Sequence, residues 1–425
     1  MPRSFPDARL SLICFAAAAV AFPIAIISIA KFLLVLCALA VIVKGWSSRS
    51  KAQAFLPNSV SPMILLSLAI LASSALWSTG SSDEVLAALA KHGKLILIPI
   101  ILYLTRSRRE AFIALAFFMG AQIFLLASTW FLYFGVPIPW VTSKEAGICA
   151  ICSFAIFSSY LDQSIMTAVL AAVCWHLRGY LSSRHRTLIT SIISALALVC
   201  VFFIFQGRTG YLVAVALTTL AIMWELPSRF RFAVAVIPLA LVLLLAASSG
   251  KVRHGVMEIA GSIQSFRQSG YVSPSSGTRL VLWRGALRSM ADNPLMGTGV
   301  GSWDGEFRRQ QAGNAPTDAG SSAASQHRNP HQEYLLWGTA LGVPGIALLC
   351  AVLLALYRDS LQMDKPERRA MQSVLLALTL ACLFNCALYD ALIGDFFCIA
   401  LALVAALRVG ATPVATAAFH PRPGV

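Results

Sequence analysis

"FIFQGRTGYLVAV", residues 203–215, joins two apolar runs through Gln206, Gly207, Arg208 and Thr209 alone. A hydrocarbon core takes about 20 apolar residues per helix, and the flanking runs 187–206 and 209–226 are each near that length. The stretch therefore reads as a membrane hairpin with almost no loop. Its arginine must lie at the membrane edge or point into a cavity. Charge in that position is expensive and is a functional candidate by default. Two readings are open: a guanidinium snorkelling to lipid headgroups, or one built into a packed site. Gly207 and Gly210, which permit close backbone approach, favour the second.

The rest of the chain repeats the pattern. Of its 425 residues 58% are hydrophobic and 12% charged, where soluble domains carry about 25% charged residues. An all-α integral membrane protein follows. Apolar runs lie at 10–27, 28–44, 60–78, 86–105, 111–134, 161–177, 187–206, 209–226, 232–248, 334–357, 371–389 and 391–408, about twelve transmembrane helices. The 10–44 stretch contains Pro23 and reads as two spans or as one broken span, and 86–105 contains Lys91 and Lys94. The first run follows Arg3 and Arg9 like a secretory signal, but no small-x-small cleavage site precedes a soluble domain, so it reads as a retained helix.

Charge orients the spans. With the N-terminus inside, the internal connections hold Lys44, Arg49 and Lys51; Arg106, Arg108 and Arg109; Arg178, Arg184 and Arg186; Arg229 and Arg231; and Arg358, Lys365, Arg368 and Arg369. Short external connections hold few basic residues, as the positive-inside rule requires. This accounts for the net charge of +15. No basic stripe with aromatic interleaving accompanies it, so nucleic acid is not the expected partner. The organisation is then spans one to nine over 1–248, a large external loop over 249–333, spans ten to twelve over 334–408, and a cytoplasmic tail over 409–425.

The loop holds the remaining signals. "SSGTRLVLWRGALRSMADNP" (275–294) has helical spacing, with Ser276 or Thr278 as its cap. On that helix Arg279 shares a stripe with Trp283, Ala286 and Met290, while Arg284 and Arg288 fall opposite. An arginine on an apolar face wants an anionic partner, either a ligand or an ion pair with Asp292 or Glu306. At the loop's end, in "NPHQEYLLWG" (329–338), Asn329 reads as an N-cap, Pro330 as the first helical residue and His331 as part of the first turn of span ten. The positive end of the helix would keep that imidazole neutral and able to take a proton, while favouring phosphate nearby. His185, His254 and His327 read as solvated loop side chains.

Other chemistries lack their residues. No GxxxxGK[ST] nucleotide loop, GxSxG, HExxH or paired carboxylates occur. Cys149 and Cys152 form a CxxC without the second ligand pair that a metal needs. No cofactor and no metal are expected.

The order "GRTGYL" (207–212), then "GTRLVLWRGAL" (277–287) and "NPLMGTGVGSW" (293–303) in the long loop, then "NPHQEYLLWGTALGVPG" (329–345), resembles the O-antigen ligase, O-antigen polymerase and O-oligosaccharyltransferase superfamily. The family usually shows His-Asn at the last site, and His331-Gln332 keeps an amide there. The resemblance implies a GT-C-like membrane glycosyltransferase of the bacterial inner membrane with its active site facing the periplasm. It would transfer a glycan from undecaprenyl pyrophosphate, with Arg208 and Arg279 holding the pyrophosphate and His331 as general base. The short tail and single large loop favour the ligase, whose acceptor is lipid A-core, over the polymerase and the protein-modifying branch. A secondary transporter is the competing class, but 1–205 and 206–425 show no internal repeat.

Overall fold

In a computed structural model the chain is described over residues 7–47, 58–140, 154–180, 183–227, 229–230, 236–248, 277–312 and 329–408, with 250, 253 and 257 as isolated positions. Among the described residues all regular structure is helical. The bundle contains α1 (Ala8–Ala19), α2 (Ile24–Ser47), α3 (Val60–Ser73), α4 (Ser82–His92), α5 (Leu97–Leu104), α6 (Arg108–Tyr133), α7 (Tyr160–Leu177), α8 (Arg184–Val199), α9 (Arg208–Glu225) and α10 (Ile237–Ser248). The large loop contributes α11 (Gly277–Asp292) and α12 (Trp303–Ala312), and the chain continues through α13 (Glu333–Leu341), α14 (Val343–Ser360), α15 (Lys365–Phe384) and α16 (Ala391–Ala406).

Each apolar run contains a helix, but the helices are of two kinds. Ile24–Lys44, Val60–Trp77, Ser82–Leu104, Arg108–Tyr133, Arg184–Ile204 and Val343–Ser360 are long and apolar enough to cross a membrane by length and composition. Ala8–Ala19 and Ala391–Ala406 are apolar and shorter. Central helices are marked by burial instead. α7 buries every residue from Gln163 to Cys174, polar Gln163, Ser164 and Thr167 included, and α16 buries Leu392 through Val404. A helix walled by protein need not present an apolar exterior.

Two expected spans are broken. The 86–105 run folds as α4, a short 3-10 turn at Gly93–Ile96, and α5. The 334–357 run, expected as one helix, divides at Gly342, whose φ of 73° leaves the helical region. Val343 N donates there to Pro294 O at 2.8 Å, and a Cβ on Gly342 would stand 2.3 Å from that oxygen. The loop thus wedges α13 from α14. In the 10–44 run two helices form, split at residues 20–23.

One end of the bundle is laced by ion pairs. Arg9 meets Glu110 at 2.7 Å, Arg108 meets Glu367 at 2.6 Å, and Arg369 meets Glu225 at 3.1 Å. Asp359, at the end of α14, accepts from Ser59 N, Val60 N and Ser59 Oγ, and so caps α3. These contacts bring together the basic connections assigned above to the inside.

The glycine-rich turn after α11 closes the opposite end. Gly297, Gly299 and Gly301 have φ of 61°, 88° and 84°. Any Cβ there would fall 2.5 Å from Ala340, 2.3 Å from Ser78 or 2.7 Å from Val85 backbone atoms. Thr298 N and Gly299 N donate to Thr339 O and Ala340 O, and Thr79 N donates to Thr298 O. The loop is stitched to α13 and to the α3–α4 connection, and so carries α11 to a defined place.

Candidate active site

Arg208 opens α9 directly after Gly207. The first turn lies so close to α7 that a Cβ on Gly207 or Gly210 would meet Ser164 Oγ at 2.4 or 2.1 Å. The close approach expected of these glycines is therefore made, and it sets where the arginine leaves the backbone. Tyr211 donates its hydroxyl to Phe205 O at 2.6 Å and holds the reversal of the chain.

α11 presents the expected faces. Leu282, Ala286 and Met290 are buried and Trp283 half-buried beside Arg279, while Arg284 and Arg288 are exposed. The helix opens at Gly277, so Thr278 lies inside it; Ser276 lies outside the described residues. Arg279 pairs with neither Asp292 nor Glu306. Its Nη2 donates to the neutral Asn385 Oδ1 at 3.2 Å, and Glu306 instead receives Thr79 Oγ1 at 2.8 Å and Arg309. Burial holds the Arg279 guanidinium below the ordinary arginine range, and the positive charge of Arg208 lowers it further. Two arginines about 70 residues apart are thus brought into mutual repulsion at one place, which a bound anion would relieve.

His331 departs from its expected position. α13 begins at Glu333 after Gln332, so the histidine precedes the helix and is not in its first turn. Asn329 caps no helix. Its Oδ1 accepts from His331 N at 2.9 Å and forms a tight turn, which leaves His331 at φ 51°, left-handed for a non-glycine residue. The helix-end argument for a neutral imidazole weakens accordingly, since that field falls off within the first turn.

What holds this strap is the connection between α15 and α16, residues 385–390. Asn385 receives Arg279. Glu333, fully buried, accepts from Leu388 N at 2.9 Å, Tyr389 N at 3.1 Å and Trp337 Nε1 at 3.1 Å. Asn329 Nδ2 donates to Asp390 Oδ1 at 3.2 Å. Lys94 Nζ reaches the carbonyls of Tyr389, Asp390 and Ala391 at 3.2, 2.6 and 3.3 Å. Burial raises the Asp390 carboxyl above its usual range, against the pull of Lys94 and Lys91 and the Asn329 hydrogen bond. One short connection therefore touches the arginine of the loop, the histidine strap and the lysine of the broken 86–105 run.

A cavity of about 310 Å³ lies beside this connection, lined by α4, the glycine-rich turn, α13 and Tyr389. Arg208, Arg279 and His331 do not line it. Among the described residues no group of His, Cys, Asp or Glu side chains is arranged to hold a metal ion. Cys149 and Cys152 lie outside the described residues, as do His254 and His327.

Residues 192–350, which contain Arg208, α11 and the His331 strap, match the family model described as O-antigen ligase. Over that region the chain is similar to the O-antigen ligase family. No curated protein matches it. The O-antigen ligase match begins after Lys94 and stops short of the 385–390 connection, so the matched region holds the arginines, the histidine, Asn329 and Glu333, while Lys94, Asn385 and Asp390 lie outside it. Asn385, Asp390 and Glu333 were not among the expected site residues. Their one sequence signal is polarity at the borders of apolar runs, in "FNCALYDALIGD" (384–395) for the first two and "NPHQEYLLWG" (329–338) for Glu333.

Proposed function

We propose that the chain transfers O-antigen polysaccharide from undecaprenyl pyrophosphate to a sugar hydroxyl of lipid A-core, on the periplasmic side of the inner membrane. The reading is carried by Arg279, which bonds the same connection that holds the His331 strap, together with Arg208, from a separate element, close enough for its charge to depress that of Arg279. Paired guanidinium donors suit a pyrophosphate. In this reading His331 takes the proton of the acceptor hydroxyl as its oxygen attacks the anomeric carbon in line. The bond from that carbon to the pyrophosphate oxygen breaks, the electron pair leaves with the pyrophosphate, and the two arginines stabilise it there. The configuration inverts. The leaving group supplies the driving force, so ATP and a metal are not required. In this reading twelve spans with both termini inside would put the paired basic residues in the cytoplasm and the arginine–histidine end outside.

The test is transfer by purified protein from polyprenyl pyrophosphate glycan to lipid A-core in EDTA without ATP. Wild type should transfer, and His331→Ala should retain about a hundredth of the rate or less with near-normal donor binding, since general-base catalysis contributes about 10²–10⁴-fold. Full activity in His331→Ala, or loss in EDTA restored by magnesium, would refute the mechanism. Joining of repeat units to one another in place of capping lipid A-core would make the enzyme a polymerase. A reporter fused after residue 313 should be active outside, and cytoplasmic activity would overturn the orientation.

A further inference from the structure

The cavity beside the 385–390 connection has a lining that the donor chemistry does not use. Its walls are α4, with Asp83, Glu84, Lys91 and His92, the turn ending in Trp303, and Tyr389. Lys91 Nζ stands 4.1 Å from the centre of the Tyr389 ring. His92 forms the buried side, 3% exposed, between the rings of Trp337 and Tyr389 at centroid distances of 5.5 and 5.3 Å. Its Nδ1 has no hydrogen-bond partner among the described residues. A buried polar atom left without a partner is destabilising unless something binds it. At about 310 Å³ the space is at the small end of the range for ligand sites, about 300–1,000 Å³.

We infer that this cavity is the subsite for a neutral sugar ring of the acceptor. The inference rests on the glycan-transfer reading above and names where its second substrate sits. The carboxylates of Asp83 and Glu84 repel a phosphate and desolvate poorly against a lipid chain, but they accept hydrogen bonds from hydroxyl groups. Lys91, which stands over the Tyr389 ring, donates to hydroxyl oxygens, and Trp303 and Tyr389 add aromatic carbon to the lining, which suits the C–H groups of a sugar. The position suits an acceptor. Leu336, Thr339 and Ala340 of α13 line the cavity, and the same helix begins two residues after His331. Tyr389 lines it too, and the next residue, Asp390, holds Asn329 of the histidine strap. A ring seated here does not touch the arginine pair, since neither Arg208 nor Arg279 lines the cavity.

Lys91→Ala and Asp83→Asn test this, with the exposed Arg288→Ala of α11 as the comparison. Core oligosaccharide, released from lipid A by mild acid, is titrated against each full-length protein in detergent and followed by saturation-transfer NMR. Initial transfer rates are then measured against donor and acceptor concentration separately. Both cavity variants should bind the oligosaccharide at least about five-fold more weakly and raise the acceptor KM to match, with the donor KM unmoved. Unchanged oligosaccharide affinity, or a rise in donor KM instead, overturns the assignment. Wild type that binds the oligosaccharide in a Lys91-dependent way without transferring glycan would support the cavity and count against the transfer reading alone.

Discussion

Replacing Glu333 by alanine removes one carboxylate and strands three donors at once: Leu388 N, Tyr389 N and Trp337 Nε1, at 2.9, 3.1 and 3.1 Å. Glu333 is wholly buried, so water does not replace it without opening the bundle. A buried donor left unsatisfied costs about 1–3 kcal/mol, and three of them put the loss at about 3–9 kcal/mol. Whole-domain stabilities are about 5–15 kcal/mol, so the α15–α16 connection should open before the bundle melts. Glu333→Gln keeps one acceptor oxygen and turns an amide N–H₂ toward a donor, so it should fall between alanine and wild type. The assay is thermal unfolding in detergent with a thiol-reactive dye, which suits the protein because Cys382 and Cys386 are buried next to this connection. At roughly 2–4 °C per kcal/mol for chains of 150–250 residues, and less for a longer one, the alanine variant should melt at least about 5 °C lower. Transfer should fall with it in the order alanine, glutamine, wild type, because the same carboxylate ties the start of α13, and with it His331, to the 385–390 connection. An alanine variant with wild-type melting and wild-type rate would refute the reasoning, since it would mean that the three donors find other partners.

Arg208→Ala and Arg279→Ala should each weaken donor binding as well as rate, and lysine should rescue either only in part because it offers a point charge without the paired fork. Arg284→Ala, exposed on the far face of α11, should keep most activity, and equal damage from it would show the helical face to be misassigned. Gly299→Ala sets a left-handed residue, costing about 1–2 kcal/mol, against a Cβ clash at 2.3 Å with Ser78 Cα. It should lower both melting temperature and transfer, whereas Gly305→Ala, whose Cβ would meet nothing within 4 Å, should change neither, and an unaffected Gly299→Ala would show that the turn is not fixed against α3–α4.

Some of this architecture was written locally and some was not. Apolar runs mark where helices form, because backbone groups in lipid must be satisfied within the helix. Arg208 and His331 stood out for a related reason: a charge or titratable group at the edge of an apolar run has no cheap local explanation. The face of α11 was equally readable, since helical period alone separates Arg279 from Arg284 and Arg288.

The tertiary structure decided the partners. Arg279 could have paired with Asp292 or Glu306 by sequence distance, yet it bonds Asn385, because the glycine-rich turn stitches the loop to α13 and α3–α4 and leaves α11 no freedom to fold back on itself. Periodicity likewise extended span ten through Gly342 and put His331 in a first helical turn. Pro294, arriving from the loop, breaks that helix from outside, and Asn329 turns the chain ahead of Glu333. Glu333, Lys94 and Asp390 stood at or inside apolar runs, but nothing local said what they would bind. Their roles arise where the ends of several helices meet over one short connection, and contacts between residues so far apart in the chain have no period, spacing or neighbour that a linear reading could detect.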